Sequence, residues 1–342
     1  MRHIIVLVTA LVLWVTAGGP LAAQDWEDRR VFGTPTSNEA TLRILSSTDT
    51  VFLAPIIEGF IRANPDWAVE YLVTGTADAD MLFRAAPDRY DILISSAMDL
   101  QLKLVNDGYA HALDGVEHPE WAMWRQSLFA FTSEPAAIVL NRAAFKGREL
   151  PQTRQELITA LRERSDYFTG RVGTYDVRRS GLGYLFATQD ARVSETYWRL
   201  MEVMGALNTR LYCCSGDMID DVAEGRILAA YNVLGSYAAA RQEEDDRFAI
   251  IQPSDFPTMM MRTGFVSVQS VHMDEAEAFL RHLVAAQTGQ GAQAATSPLP
   301  PLAVSADGSA GAIIPLDPSL MAFQDRLKRR TFLEEWENAV IQ

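Results

Sequence analysis

The sequence predicts an α/β protein of two lobes, and three observations carry that prediction. Short apolar runs alternate with helical periodicities in three successive strand-to-helix units, the signature of a parallel sheet. Two extended stretches, 129–141 and 259–269, read as crossovers between lobes; the first holds Pro135, which a central strand disfavours. The 342 residues, 48% of them hydrophobic, are enough for about two domains of roughly 150 residues with real cores.

The elements follow in chain order. Residues 1–23 read as a secretory signal peptide. Arg2 and His3 make a basic start, 4–17 carry no charge, Gly18, Gly19 and Pro20 break the helix, and Ala22 and Ala23 end it on small side chains. That apolar run is shorter than the ~20 residues of a spanning helix, so cleavage after Ala23 is expected. No Cys follows to take a lipid anchor. Residues 24–40 read as a flexible leader. Residues 41–45 alternate as a strand, and Ser46, Ser47, Thr48 and Asp49 end it. Phe52, Ile56 and Phe60 then recur every fourth residue as a helix face. A second strand at 67–73 leads through Gly75 and Thr76 into a helix ending near Arg84. A third at 91–94 leads through Ser95 and Ser96 into a helix over 98–106.

Beyond the first crossover, 153–164 reads as an amphipathic helix, 173–175 as a strand end, and 180–188 as a helix that breaks before Tyr197. A helix at 217–224 and strands at 227–231 and 248–251 complete a second lobe. After the second crossover come a helix at 273–286, a Gly/Ala/Pro-rich loop at 289–301, and a terminal helix at 319–340. Its expected apolar side is Leu320, Phe323, Leu327, Phe332 and Trp336. The expected division is 41–132 with 258–304 in lobe 1, 133–257 in lobe 2, and 305–342 as a C-terminal loop and helix. Ligands of open α/β sheets bind beyond the carboxyl ends of the strands, here the cleft between the lobes.

Composition narrows the function. Asp and Glu number 44 against 30 Lys and Arg, a net charge of −14; losing Arg2 with the signal makes it −15. Such a chain lacks the cationic surplus that neutralises phosphates, so no nucleic-acid partner is expected. Cys213 and Cys214 are adjacent; in an oxidising compartment they are either two thiols or a vicinal disulfide. His111, His118, His272 and His282 show no metal spacing, and neither metal nor cofactor is expected. No nucleophile, base and acid stand in a recognisable order, so the chain does not read as an enzyme.

The segments 90–97, 176–184, 227–237 and 332–336 (YDILISSA, DVRRSGLGY, ILAAYNVLGSY and FLEEW) resemble one family. It is the extracellular solute-binding proteins of ABC transporters, in the branch related to ferric-iron-binding proteins. The resemblance runs from about Thr41 onward. It implies a type II periplasmic binding protein fold, two α/β lobes joined by two crossover strands, closing by a hinge over a small ligand. It also implies a periplasmic monomer that delivers its ligand to an ABC permease in the inner membrane, or presents it to a membrane sensor kinase. The iron binders of that branch carry adjacent tyrosines after a strand resembling 227–231. Here that stretch reads Asn232, Val233, Leu234 and Gly235, and Tyr231 and Tyr237 stand six apart. A small organic or phosphorylated anion is therefore expected ahead of ferric iron.

Helix N-termini favour anions, and several strand-to-helix turns carry hydroxyls. The candidate ligand residues are Ser47, Thr48, Thr76, Ser96, Ser180 and Gly181, with Arg179 for bidentate pairing to a carboxylate or phosphate. Tyr231 and Asn232 are the candidates at the end of the second lobe's strand, with core packing the competing account of Tyr231. Helix capping alone is the competing account of the same hydroxyls. Asp49 is expected as a cap or as a residue behind the ligand contacts, because its charge would repel an anion.

Overall fold

The computed structural model describes residues 26–37, 40–288, 297–303 and 312–341. The expected signal peptide and most of the loop at 289–301 lie outside them.

The chain opens with β1 (Asp28–Phe32), β2 (Thr41–Ser46), α1 (Thr50–Ala63), β3 (Ala68–Val73), α2 (Thr76–Ala85), β4 (Ile92–Ser95) and α3 (Met98–Asn106). Strands β2, β3 and β4 are parallel, and β3 and β4 are buried throughout, as strands covered on both faces must be. Helix α1 packs Phe52, Leu53, Ile56, Ile57 and Phe60 inward, the fourfold periodicity of the sequence. Strand β1 falls within the stretch expected to be a flexible leader. It pairs antiparallel with β3, and a charge explains its docking. Glu70 on β3 accepts from Arg43 Nε of β2 at 2.7 Å and from Arg29 Nε of β1 at 2.8 Å.

Next come β5 (Met123–Trp124), β6 (Leu128–Ala130) and β7 (Glu134–Asn141). Here the structure departs from the sequence reading. Most of 129–141 is not a crossover: β7 is a central strand of a second sheet, between β10 and β11 introduced below. Pro135 is tolerated because it lies before the stretch flanked on both sides. The second lobe continues through α4 (Arg154–Glu163), α5 (Ser165–Phe168), β8 (Val172–Tyr175), α6 (Gly181–Val193), α7 (Thr196–Ala206), β9 (Arg210–Tyr212) and α8 (Ser215–Ala223). It ends with β10 (Ala229–Leu234), α9 (Gly235–Gln242) and β11 (Phe248–Ile251).

The chain then returns through β12 (Met259–Met260), β13 (Thr263–Val266), α10 (Met273–Thr288) and α11 (Arg326–Val340). The first sheet has the order β1-β3-β2-β4-β13-β6-β5, and the second β11-β7-β10-β8-β9 with β12 on β7. Two adjacent passages join the sheets. Residues 131–133 lead out and 261–262 lead back, bonded by Phe131 N to Arg262 O at 2.9 Å and by Arg262 N to Thr132 Oγ1 at 2.9 Å. The expected terminal helix is interrupted. A 3-10 turn (Pro318–Gln324) ends at Asp325, whose carboxylate accepts the amides of Leu327 and Lys328 and starts α11 afresh. That restart leaves Leu327 61% exposed, while Phe332 and Trp336 pack into the second lobe.

Candidate functional site

The parallel strands of both sheets end at one place, and the turns after them enclose a cavity of about 410 Å³. From the first sheet it is lined by Ser47 and Asp49 after β2, Thr74, Gly75 and Thr76 after β3, and Ser96 after β4. Tyr175 and Ser180 face it around the end of β8, Cys213 to Asp217 after β9, and Leu234 and Tyr237 around the end of β10. Glu27, whose amide donates to Val73 O at 2.9 Å, reaches it beside the end of β3. Arg262 reaches it from the returning crossover.

The hydroxyls are already organised. Ser47 Oγ donates to Ser95 Oγ at 3.1 Å and accepts the Ser96 amide at 3.2 Å, tying two turns together. Thr76 Oγ1 crosses between lobes and accepts the amides of Gly181 at 2.9 Å and Leu182 at 3.2 Å. Ser180 Oγ caps α6 by accepting from Gly183 N at 3.1 Å. A second bridge between lobes runs from the Asp49 amide to Tyr237 Oη at 3.2 Å.

Arg262 and Glu134 form a buried pair where the crossovers meet, both at 0% exposure. Nε and Nη2 donate to the two carboxylate oxygens at 3.0 Å each, the bidentate fit of a guanidinium to a carboxylate. Nη1 donates to Thr48 Oγ1 at 2.6 Å, while Glu134 also accepts from Thr132 and Ser236. Burial works against the Arg262 charge, but Glu134, with Tyr237 and Tyr71 beside it, holds the guanidinium above its ordinary range.

The remaining charges of the cavity are carboxylates. Partial burial, then the charges of Asp49, Asp78 and Asp217, push the Glu27 carboxyl up. Burial also raises Asp49, with Asp28 and Asp217 adding to it and Arg262 and Tyr237 only partly offsetting it. Asp49 occupies the N-cap position of α1 without making a capping side-chain bond, so it is not the cap expected from the sequence. Cys213 and Cys214 are joined in a vicinal disulfide on the cavity wall, which decides between the two states left open.

Of the residues singled out from sequence, Ser47, Thr76, Ser96 and Ser180 line the cavity. Thr48 is buried beneath it on Arg262, and the Gly181 amide is taken by Thr76. Three others lie elsewhere. Arg179 is exposed and outside the lining. The turn that bonds both Arg179 N and Ser180 N to Asp176 O turns the serine inward and leaves the arginine at the surface. Tyr231 and Asn232 also miss the cavity. A bulge at that point of β10 places Asn232 at φ 61°, and both side chains bond to Asp190 inside the second lobe. Arg154 completes that network, donating to Tyr231 Oη at 2.6 Å and to Asp190 at 2.8 Å.

Sequence reasoning missed Arg262, Glu27, Asp217 and the disulfide wall. A lone charge after three methionines inside an extended apolar run was the available signal for Arg262. Nothing local marks Glu27.

No protein-family profile matches the chain, and no curated protein matches it. Solved structures do. A substrate binding protein of an ABC transporter from Agrobacterium tumefaciens is 31% identical, with a TM-score of 0.82, over 92% of this chain and 98% of that one. The periplasmic binding protein AfuA from Actinobacillus pleuropneumoniae, with fructose-6-phosphate bound, is 14% identical at a TM-score of 0.67, over 88% and 98%. Iron-bound HitA from Pseudomonas aeruginosa is 15% identical at 0.65, over 88% and 99%. These neighbours are binding proteins, not enzymes, and they share the two-lobed fold that the sequence resemblance implies.

Proposed function

The chain belongs to the substrate-binding proteins of ABC transporters, and on that premise we propose that it captures one small solute between its lobes and hands it to the transporter's permease. The observation that carries this is the cavity of about 410 Å³ walled by both lobes and reached by Arg262 between them. A solute there touches both lobes only when they are together, so binding shifts the population toward the closed form that a permease can recognise. Both walls come from one chain, which supports a monomeric binding unit.

The hydroxyls of Ser47, Thr76, Ser96 and Ser180 support polar contacts to the solute, with Thr48 and Gly181 supporting the walls. The fructose-6-phosphate complex of the AfuA neighbour supports a small organic solute. The basic and apolar N-terminus and the periplasmic neighbours support export to the periplasm. No helix among the described residues is long and apolar enough to cross a membrane.

Thermal unfolding with a panel of small solutes tests the reading. One solute at about 100 times its Kd should add roughly 2.7 kcal/mol of stability and saturate at one site. In the Arg179→Ala variant its affinity should stay within about twofold, as for a surface substitution. No stabilisation by any small solute refutes the capture reading; a tenfold loss in that variant returns Arg179 to the site.

A further inference from the structure

The charge of the cavity is opposite to what an anion needs. Glu27, Asp49 and Asp217 line it, and its one cation among the described residues, Arg262, has its charge answered by Glu134. The helix N-termini that would attract an anion already have carboxylates or hydroxyls of the protein beside them. Asp49 stands at the start of α1, and Asp217 lies in the first turn of α8. A Cβ on Gly75, at the start of α2, would lie 3.3 Å from Asp78 Oδ2 and 3.6 Å from Glu27 Oε1. Thr76 and Ser180 take the first amides of α6. A carboxylate beside a helix N-terminus cancels the partial positive charge there, leaving little for a bound anion.

The carboxylates do not form a metal centre either. Among the described residues, only Cys213, Cys214 and Asp217 have donor atoms of His, Cys, Asp or Glu all within 4.8 Å of one another, and the two sulfurs are bonded as a disulfide. The carboxylate oxygens of Glu27, Asp49 and Asp217 do not all come within that distance of one another. They surround a space fit for a larger cation. The same cavity is also lined by Tyr175, Leu182, Leu234, Tyr237 and the disulfide. Carboxylates beside aromatic and sulfur surface suit an ammonium or other organic cation with an apolar body.

We infer that the solute is an organic cation, its positive group held among Glu27, Asp49 and Asp217 and its apolar part against Tyr237 and the Cys213–Cys214 disulfide. This rests on the reading that the cavity holds the transported solute.

The test is a thermal-shift panel on the purified protein. It sets primary, quaternary and heteroaromatic ammonium ions beside size-matched carboxylates and phosphates, fructose-6-phosphate, neutral sugars and ferric citrate. Calorimetry on the best hit follows. The tightest solute should be an organic cation, and Asp49→Asn and Asp217→Asn should each weaken it by at least about tenfold, with unliganded melting preserved. A tightest hit among the anions, the sugars or iron overturns the cation assignment while leaving solute capture intact. So does a cation whose affinity is the same in both variants. Silence across every class overturns solute capture itself and the cation assignment with it.

Discussion

Replacing Arg262 with methionine isolates the pair between the lobes. The guanidinium makes two 3.0 Å bonds to Glu134 and one of 2.6 Å to Thr48, with no exposure to water. Arg262→Met keeps much of the length but leaves Glu134 buried with only the Thr132 and Ser236 hydroxyls as donors. Breaking one side of a buried pair costs about 3–5 kcal/mol, because the remaining charge is uncompensated. With a urea m-value near 3 kcal/mol/M, the midpoint should fall by about 1 M or more. Removing both charges, as Arg262→Met with Glu134→Leu, should recover most of the loss, since an apolar pair of similar volume is often neutral. Because each single variant strands one charge, the double-mutant cycle on urea melts should return a coupling of roughly 5 kcal/mol or more. A double variant as unstable as the sum of the singles, with a coupling under about 0.5 kcal/mol, would refute the account of this pair.

Asp99 supplies a pH prediction. It is 1% exposed, its Oδ1 has no partner among the described residues, and burial pushes its carboxyl up to about 6. The folded state thus binds this proton more tightly than the unfolded chain. The cost of burying the charge is complete above about pH 6 and disappears as pH falls toward about 4. Asp99→Asn should stabilise the protein at pH 7 by up to about 3 kcal/mol and change nothing at pH 4; a difference constant across that range would contradict the assignment. Gly205, on α7, offers a packing test, because a Cβ there would lie 2.1 Å from the Ala339 carbonyl of α11. Gly205→Ala should lower stability by about 1–3 kcal/mol and open the C-terminal helix to protease, and an unchanged melt with an uncut helix would count against that close crossing.

Much of the fold was legible because its signals are local. The α1 periodicity through Phe52, Ile56 and Phe60 and the apolar run of β4 need only the chain's own neighbourhood to be recognised. The misses share one cause, a partner distant in sequence or a turn whose geometry settles direction. Strand β7 looked like a connector because the strands on either side of it arrive about a hundred residues later. Strand β1 looked irregular because it is held by pairing to β3 and by Glu70. The terminal helix looked continuous because Asp325 breaks it only by accepting two amides in three dimensions.

The site divides along the same line. The hydroxyl-bearing turns Ser47, Thr76, Ser96 and Ser180 could be found from sequence, since parallel strands deliver whatever follows them to one edge of the sheet. The sign of the charge there could not. Arg179 and Ser180 are neighbours, yet one turn leaves the first at the surface and brings the second into the cavity. Arg262 counts for little as a free cation because Glu134, 128 residues away, has taken it. Asp49 counts as a carboxylate facing the cavity because its side chain makes no capping bond to α1. The order of strands and helices follows from short-range periodicity, whereas the net charge a solute meets is a sum over pairings that only folding brings together.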